Sequence, residues 1–221
     1  MGGDWTVLNS LIPAISGLGG VALGGWLTSR REVGQEERRK VRETYYLAVL
    51  VSTHLDRFVS ECVSVAFDDG TSMGQPAGGD GQYETTVTTP HFDPLSIEVD
   101  WKVLPQDLMH AILRLPYKVE SLNRHISAVG EFDDPPDYAE FFWARQYGYA
   151  GLGLDVVQLS RTLLSHVGLR PEPMSFDKDW SAERGLRDRK AVLEEARAAS
   201  QARCGTGLTG DFVPSDVGSE K

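Results

Sequence analysis

Residues 16 to 31 read SGLGGVALGGWLTSRR, and they belong to an apolar run that decides the class of this protein. From Trp5 to Leu27 no side chain is ionisable. As a helix rising ~1.5 Å per residue, this run is about 35 Å long, and the hydrocarbon core of a bilayer is ~30 Å thick. We therefore predict one transmembrane helix over residues 5–28.

The residues that flank the run predict how it is anchored and oriented. Trp5 and Trp26 lie near its two ends, where the rings of tryptophan favour the membrane interface. Arg30 and Arg31 follow at once, and further basic residues come after them, whereas no basic residue precedes the run. The positive-inside rule then places the amino terminus outside and the carboxyl-terminal domain in the cytoplasm.

Three other interpretations of the run fit less well. Gly17, Gly19 and Ala22 match the dinucleotide-binding spacing G-x-G-x-x-A, but Pro13 argues against the strand that must precede it. A cleaved signal peptide needs a basic start and a small-residue cleavage site, and MGGDWTV has no Lys or Arg. A buried helix in a soluble protein is disfavoured by five glycines, since each destabilises a helix in water by up to ~1 kcal/mol.

One stripe of small or polar residues runs along the predicted transmembrane helix. Its members recur at steps of three and four residues: Asn9, Pro13, Ser16, Gly20 and Gly24. The pattern small-x-x-x-small allows helix backbones to approach closely, and an amide such as that of Asn9 is costly against lipid. The stripe predicts self-association, either as a tight anchor or around a lumen lined by Asn9 and Ser16.

The pattern after the run is helical for a long way. Residues 29–44 carry alternating charges at the four-residue spacing that supports an exposed helix. This helix either continues from the membrane without interruption or breaks at Gly34. An amphipathic helix is predicted from Tyr45 to about Phe67. Its apolar stripe consists of Leu47, Leu50, Val51, His54, Leu55, Phe58, Val59, Cys62 and Val65.

An acidic connection, residues 68–101, separates this helix from the next. The chain has a net charge of −10, and the connection holds no Lys or Arg, so nucleic acid is not an expected partner. YETTVTT at 83–89 and LSIEVDW at 95–101 resemble strands, and they form either a short hairpin or a mobile loop.

Two more helices complete an all-α antiparallel bundle over residues 45–170. One starts near Pro105 and is kinked at Pro116, and the other runs from about Tyr138 to Val167, with Gly168 ending it. For residues 171–203 we predict a peripheral or partly ordered helix with a thin apolar stripe. For residues 204–221 we predict a disordered tail.

No constellation of residues predicts catalysis, a metal site or a cofactor. Cys62 and Cys204 lie far apart, and no His/Cys motif with metal-ligand spacing occurs. The nearest local pairs are Asp107 with His110 and His54 with Glu61, which are more typical of structural histidines. We expect no enzyme activity; as a third hypothesis, an enzyme would use His91, Asp93 or His54.

The segment SGLGGVALGGWLTSRREVGQEERRK, followed by YYLAVLVSTHLDRF and LPQDLMHAILRLPYKVESLN, resembles small bacterial single-pass membrane proteins of uncharacterised function. Some of those proteins are encoded beside antiviral defence genes. The resemblance covers roughly residues 5 to 168, and it carries over no catalytic residue. It implies that this chain is a bacterial inner-membrane protein. It also implies a role as a defence effector, which damages the membrane of the host when it opens.

These features predict a homo-oligomeric membrane protein that acts as a gated ion channel or pore-forming effector. Its partners would be other copies of itself, membrane lipid, and a regulatory protein or ligand bound by the cytoplasmic domain. The alternative is a membrane-anchored scaffold or ligand-binding module without a pore.

Overall fold

The computed structural model describes the backbone of residues 5–170 and 180–207, and the side chains of residues 32–170 and 180–203. Within these limits the chain is a bundle of helices, which confirms the predicted all-α class. The elements in order are α1 (Trp5–Ala66), β1 (Thr71–Ser72), β2 (Gln75–Pro76), α2 (Gln106–Leu113), α3 (Leu115–Gly130), α4 (Ala139–His166) and α5 (Ala182–Gly207).

The first helix, α1, is continuous from Trp5 to Ala66, with no break at Gly34. A single glycine costs ~1 kcal/mol in a helix, which the well-formed turns on either side of Gly34 can offset. Nearly all of residues 32–46 are exposed, and the helix enters the protein core at Leu47. The exposed segment is about 22 Å long at ~1.5 Å per residue.

The buried face of α1 follows the predicted stripe with one correction. Val51, Leu55 and Cys62 are fully buried, and Phe58 is 1% exposed. His54 is exposed instead, because position 54 lies just outside the arc of the helix that contains the buried positions 51, 55 and 58. The predicted inclusion of His54 in the apolar stripe is therefore wrong.

The helix predicted after Pro105 is interrupted where a kink was expected. α2 ends at Leu113, Arg114 has φ −85° and ψ −6°, and α3 begins at Leu115 with Pro116 in its first turn. Proline has no N–H to donate to the preceding turn, and its ring is best tolerated at a helix start. The chain therefore begins a new helix here.

α4 is the central helix, and it contacts α1, α2, α3 and α5. Its buried residues include Tyr149, Ala150, Val156 and Leu163. Gly168, with a φ of 76°, ends the helix as predicted, and the N–H of Leu169 bonds to the carbonyl of Leu164.

α5 packs against α1 and α4 as the fourth long helix of the bundle, although its apolar stripe is thin. Leu186 is fully buried, and Leu193 is 8% exposed. Gly153 on α4 makes room for Leu186: a Cβ atom at Gly153 would lie 2.7 Å from Leu186 Cδ1 and 3.1 Å from Cys62 Cβ. The helix extends to Gly207, past the predicted start of a disordered tail at 204, and residues 208–221 lie outside the described residues.

The acidic connection contains a hairpin, but not where the sequence pattern suggested. The antiparallel strands β1 and β2 are joined by Met73 and Gly74, which both have positive φ (51° and 78°). Residues 83–89 have no regular structure, and residues 95–101 lie between and within two 3₁₀ turns, Pro94–Ser96 and Trp101–Val103. Asp93 and Asp100 cap those turns by accepting hydrogen bonds from the backbone N–H groups of Leu95 and Lys102, so the strand interpretation of these segments is wrong.

The described part of the chain offers no helix with an apolar stretch long enough to cross a bilayer. The predicted span, residues 5–28, is helical in backbone as the first part of α1. Its side chains lie outside the described residues.

Truncation of Leu186 tests whether α5 is part of the core. Leu186→Ala should lower the free energy of unfolding of the full-length chain by about 2 to 5 kcal/mol, because it opens a cavity between α1, α4 and α5. Denaturant unfolding followed by circular dichroism measures the change. Val192→Ala, on the same helix at 54% exposure, is the matched control and should change stability by less than about 0.5 kcal/mol. Equal, small effects of the two variants would contradict the packing of α5.

Candidate functional site

The residues predicted to form a pore or helix interface all lie in the first part of α1. Asn9, Pro13, Ser16, Gly20 and Gly24 are helical in backbone, and so are the predicted anchors Trp5, Trp26, Arg30 and Arg31. The contacts of these side chains lie outside the described residues. Their roles stay predictions.

The histidines considered for catalysis do not converge on one place. His54 is exposed on α1, and Glu61, its expected partner, is bonded to Arg57 at 3.2 Å. His91 is exposed on the connection, and the carboxylate of Asp93 is used as a turn cap. The described residues contain no group of three or more His, Cys, Asp or Glu side chains arranged to hold a metal ion.

The most highly organised polar cluster surrounds Asp68, just past the end of α1. Its carboxylate accepts hydrogen bonds from the backbone N–H groups of Gly70, Thr86 and Val87, at 3.1 to 3.3 Å. The hydroxyl of Thr86 donates another at 2.8 Å. The carboxylate of Asp68 thereby fixes both ends of residues 70–87, the first half of the acidic connection.

Arg145 on α4 supplies the opposite charge. Its Nη1 donates to Asp68 Oδ2 at 2.6 Å, and its Nη2 donates to the carbonyl of Val87, also at 2.6 Å. The side chains of Arg145 and Asp68 are 3% and 0% exposed. A buried ion pair of this kind is tolerated only when further hydrogen bonds satisfy both partners, as they do here.

Two neighbouring side chains extend the cluster to α5. Gln146 donates to the backbone carbonyl of Asp68 at 2.7 Å and accepts from Arg189 Nη2 at 3.0 Å. Arg189 Nε donates to the carbonyl of Ala66 at 3.0 Å, and its guanidinium lies 5.6 Å from the ring centre of Phe67. The end of α1 is therefore fixed to both α4 and α5.

The pKa of Asp68 and its hydrogen bonds indicate that this cluster stabilises the fold. Burial alone would raise the pKa of Asp68, but hydrogen bonds from Thr86 and Arg145 and the charge of Arg145 outweigh it and hold the pKa below its ordinary value. The described residues show no buried side-chain nitrogen or oxygen without a hydrogen-bond partner.

A cleft between α1, α4 and α5 is the second feature of interest. It has a volume of about 680 Å³, and Asp56, Ser160, Arg161 and Glu183 are among the residues that line it. Asp56 Oδ1 accepts a hydrogen bond from Ser160 Oγ at 3.2 Å, and burial raises the pKa of Asp56. Arg161 is paired with Glu183. We refer to this feature as the α5 cleft.

The sequence carried only a faint signal for the Asp68 cluster. Asp68 belongs to a DDG sequence typical of a turn, and 77 residues separate it from Arg145. Arg145 and Gln146 interrupt the aromatic start of α4, YAEFFWARQYGY, and lie on its buried face. Polar residues at core positions of a helix indicate buried partners, but not which ones.

Comparison of the chain with protein-family models, with characterised proteins and with solved structures finds no match.

Removal of the charge at Asp68 should strongly destabilise the fold. Asp68→Asn leaves Arg145 buried without a counter-charge, which we expect to cost about 3 to 5 kcal/mol in the free energy of unfolding. Asp155→Asn is the matched control, since the pair of Asp155 with Lys118 is exposed at 3.6 Å and should contribute less than about 1 kcal/mol. Similar losses for the two variants would contradict the role assigned to Asp68.

The same carboxylate should make the protein sensitive to acid. Because the pKa of Asp68 is lower in the folded chain than the ~3.9 of an unfolded one, its contribution is complete above about pH 4 and is lost as pH falls through the folded value. The difference in unfolding free energy between the wild type and Asp68→Asn should therefore shrink below about pH 4. A difference that stays constant between about pH 7 and 3 would contradict this linkage.

Proposed function

We propose that the protein is a homo-oligomer anchored in the membrane by residues 5–28, whose cytoplasmic bundle controls a pore formed by the anchors. The observation that carries the proposal is the continuity of α1, which extends from Trp5 to Ala66 without a break. One helix thus contains both the predicted span and a main part of the bundle core.

A continuous α1 provides a direct route from the bundle to the membrane. Its last turn is fixed through Ala66 and Asp68 to α4 and α5. Its middle, from Leu47 onward, packs in the core, whereas residues 32–46 extend away from it. A change in how α4 or α5 packs would then tilt or rotate the predicted span, which is the kind of two-state element that gating requires.

The predicted stripe on the span supports an oligomeric pore. Ser16, Gly20 and Gly24 allow close contact between helices, and Asn9 is expensive against lipid unless it meets a partner helix or water. Four or more copies would enclose a lumen with Asn9 and Ser16 on its wall.

The biological role we propose is that of a bacterial antiviral effector. It follows from the resemblance of residues 5 to 168 to bacterial single-pass proteins, some of which are encoded beside defence genes. Opening of the pore would dissipate the ion gradients of an infected cell. The bundle would hold the pore closed until a regulatory partner or ligand changes its packing.

A second candidate function, favoured by the α5 cleft, is an anchored ligand-binding module without a pore. Its volume of about 680 Å³ is in the range of small-molecule sites. In that case the span serves only as an anchor. Replacement of residues 5–28 by an unrelated transmembrane helix would then preserve function, whereas a pore would be lost.

The subunit count of the intact protein in nanodiscs tests the proposed pore first. We expect a tetramer or a larger oligomer, since fewer spans leave no room for a lumen. In planar bilayers, Asn9→Leu and Ser16→Leu should each lower ion conductance at least tenfold while the oligomer stays intact. Val21→Leu, within the span but off the stripe, is the control and should conduct like the wild type. A monomer or dimer, or unchanged conductance in both stripe variants, would overturn the pore.

A further inference from the structure

The α5 cleft differs in its walls from the grooves elsewhere on the described surface. Val59 and Val63 of α1 form one side, Val157 and Leu164 of α4 another, and the ring of Trp180 lies at the start of α5. These apolar side chains share the cleft with the polar residues Asp56, Ser160, Arg161 and Glu183. A concave site with apolar walls and a few convergent polar groups is the usual form of a small-molecule site.

Among the described residues that line the cleft, one negative charge has no counter-charge. Arg161 is paired with Glu183, and the adjacent Arg57 is paired with Glu61. Within the described residues Asp56 has no cationic partner, and the hydroxyl of Ser160 is the side-chain donor that it meets. The Asp56 carboxylate is therefore half-buried, and its remaining acceptor capacity is open to a donor that enters the cleft.

The hydroxyls around Asp56 are already used by the protein. Ser60 and Ser64 donate to backbone carbonyls of α1. Ser181 accepts a hydrogen bond from the N–H of Arg184 and so caps the start of α5. These groups are committed to their helices, so the carboxylate of Asp56 is the group best placed to bind a charged ligand.

We propose that the α5 cleft binds a small molecule that carries a protonated amine on an apolar or aromatic body. The amine would form a charge-assisted hydrogen bond with Asp56, and the body would lie between the valines of α1 and α4 and the ring of Trp180. Such a ligand contacts α1, α4 and α5 at once. Its binding would favour the arrangement of helices in which these walls are closest.

Binding in the cleft does not require a pore. A ligand that bridges α1 and α5 would nevertheless bias the helix that carries the predicted span, and in this sense the cleft is the candidate regulatory site of the proposed channel. If the cleft binds as proposed but the protein neither assembles nor conducts, the anchored-module function is the one that remains.

The probe for this site is phenethylamine, which is protonated at pH 7, compared with 3-phenylpropionate, an anion of similar size. The full-length chain labelled with 5-fluorotryptophan reports binding through the fluorine resonance of Trp180, which Trp180→Phe identifies among the five tryptophans. We expect phenethylamine to shift this resonance saturably and 3-phenylpropionate to leave it in place. Asp56→Asn should weaken the apparent affinity for phenethylamine at least tenfold.

Asp188→Asn is the matched control, because Asp188 is exposed on α5 and does not line the cleft; it should bind like the wild type. An equal shift by the anion, no saturable shift by the amine, or unchanged affinity in Asp56→Asn would overturn the proposal. If Asp56→Asn does not fold, the comparison of the amine with the anion on the wild-type protein still tests the proposal.

Discussion

The buried pair of Asp68 and Arg145 is the constraint on which the arrangement of the whole bundle depends. Two charges removed from water must be satisfied completely, and here the backbone of residues 70, 86 and 87 and the hydroxyl of Thr86 complete the set of partners. Satisfying Asp68 therefore fixes the irregular connection against the helices. It also fixes the end of α1, the helix that carries the predicted span.

The helices were predictable because their signals are local. The periodic Leu and Val residues of α1, α3 and α4 gave each helix its buried face, and Pro116 and Gly168 marked a break and an end through their own backbone restrictions. A local signal did not decide whether α1 is interrupted. Gly34 was the place where a break would fall, but one glycine costs too little to interrupt a helix that is well formed on both sides.

The polar contacts that hold the helices together were not predictable, because they join residues that are far apart in the chain. Asp68 and Arg145 gave no periodic pattern, and the apparent strand at 83–89 is irregular because its N–H groups bond to a carboxylate instead of another strand. The packing of α5 against α1 and α4 could not be predicted either. Besides Leu186, it depends on the guanidinium of Arg197, which lies 3.9 Å from the ring centre of Trp143. Hydrophobic periodicity gives no sign of such a contact.

If α1 links the predicted span to the bundle as one rigid helix, a spin-label distance measured across Gly34 will show it. Labels at positions 28 and 53 of the full-length chain in nanodiscs, with Cys62→Ala and Cys204→Ser, lie on either side of Gly34 and the exposed segment. A continuous helix predicts a single narrow distance near 38 Å, about seven turns at ~1.5 Å per residue. A broad or clearly shorter distribution would mean that α1 bends between bundle and span, and that the bundle does not control the span through this helix.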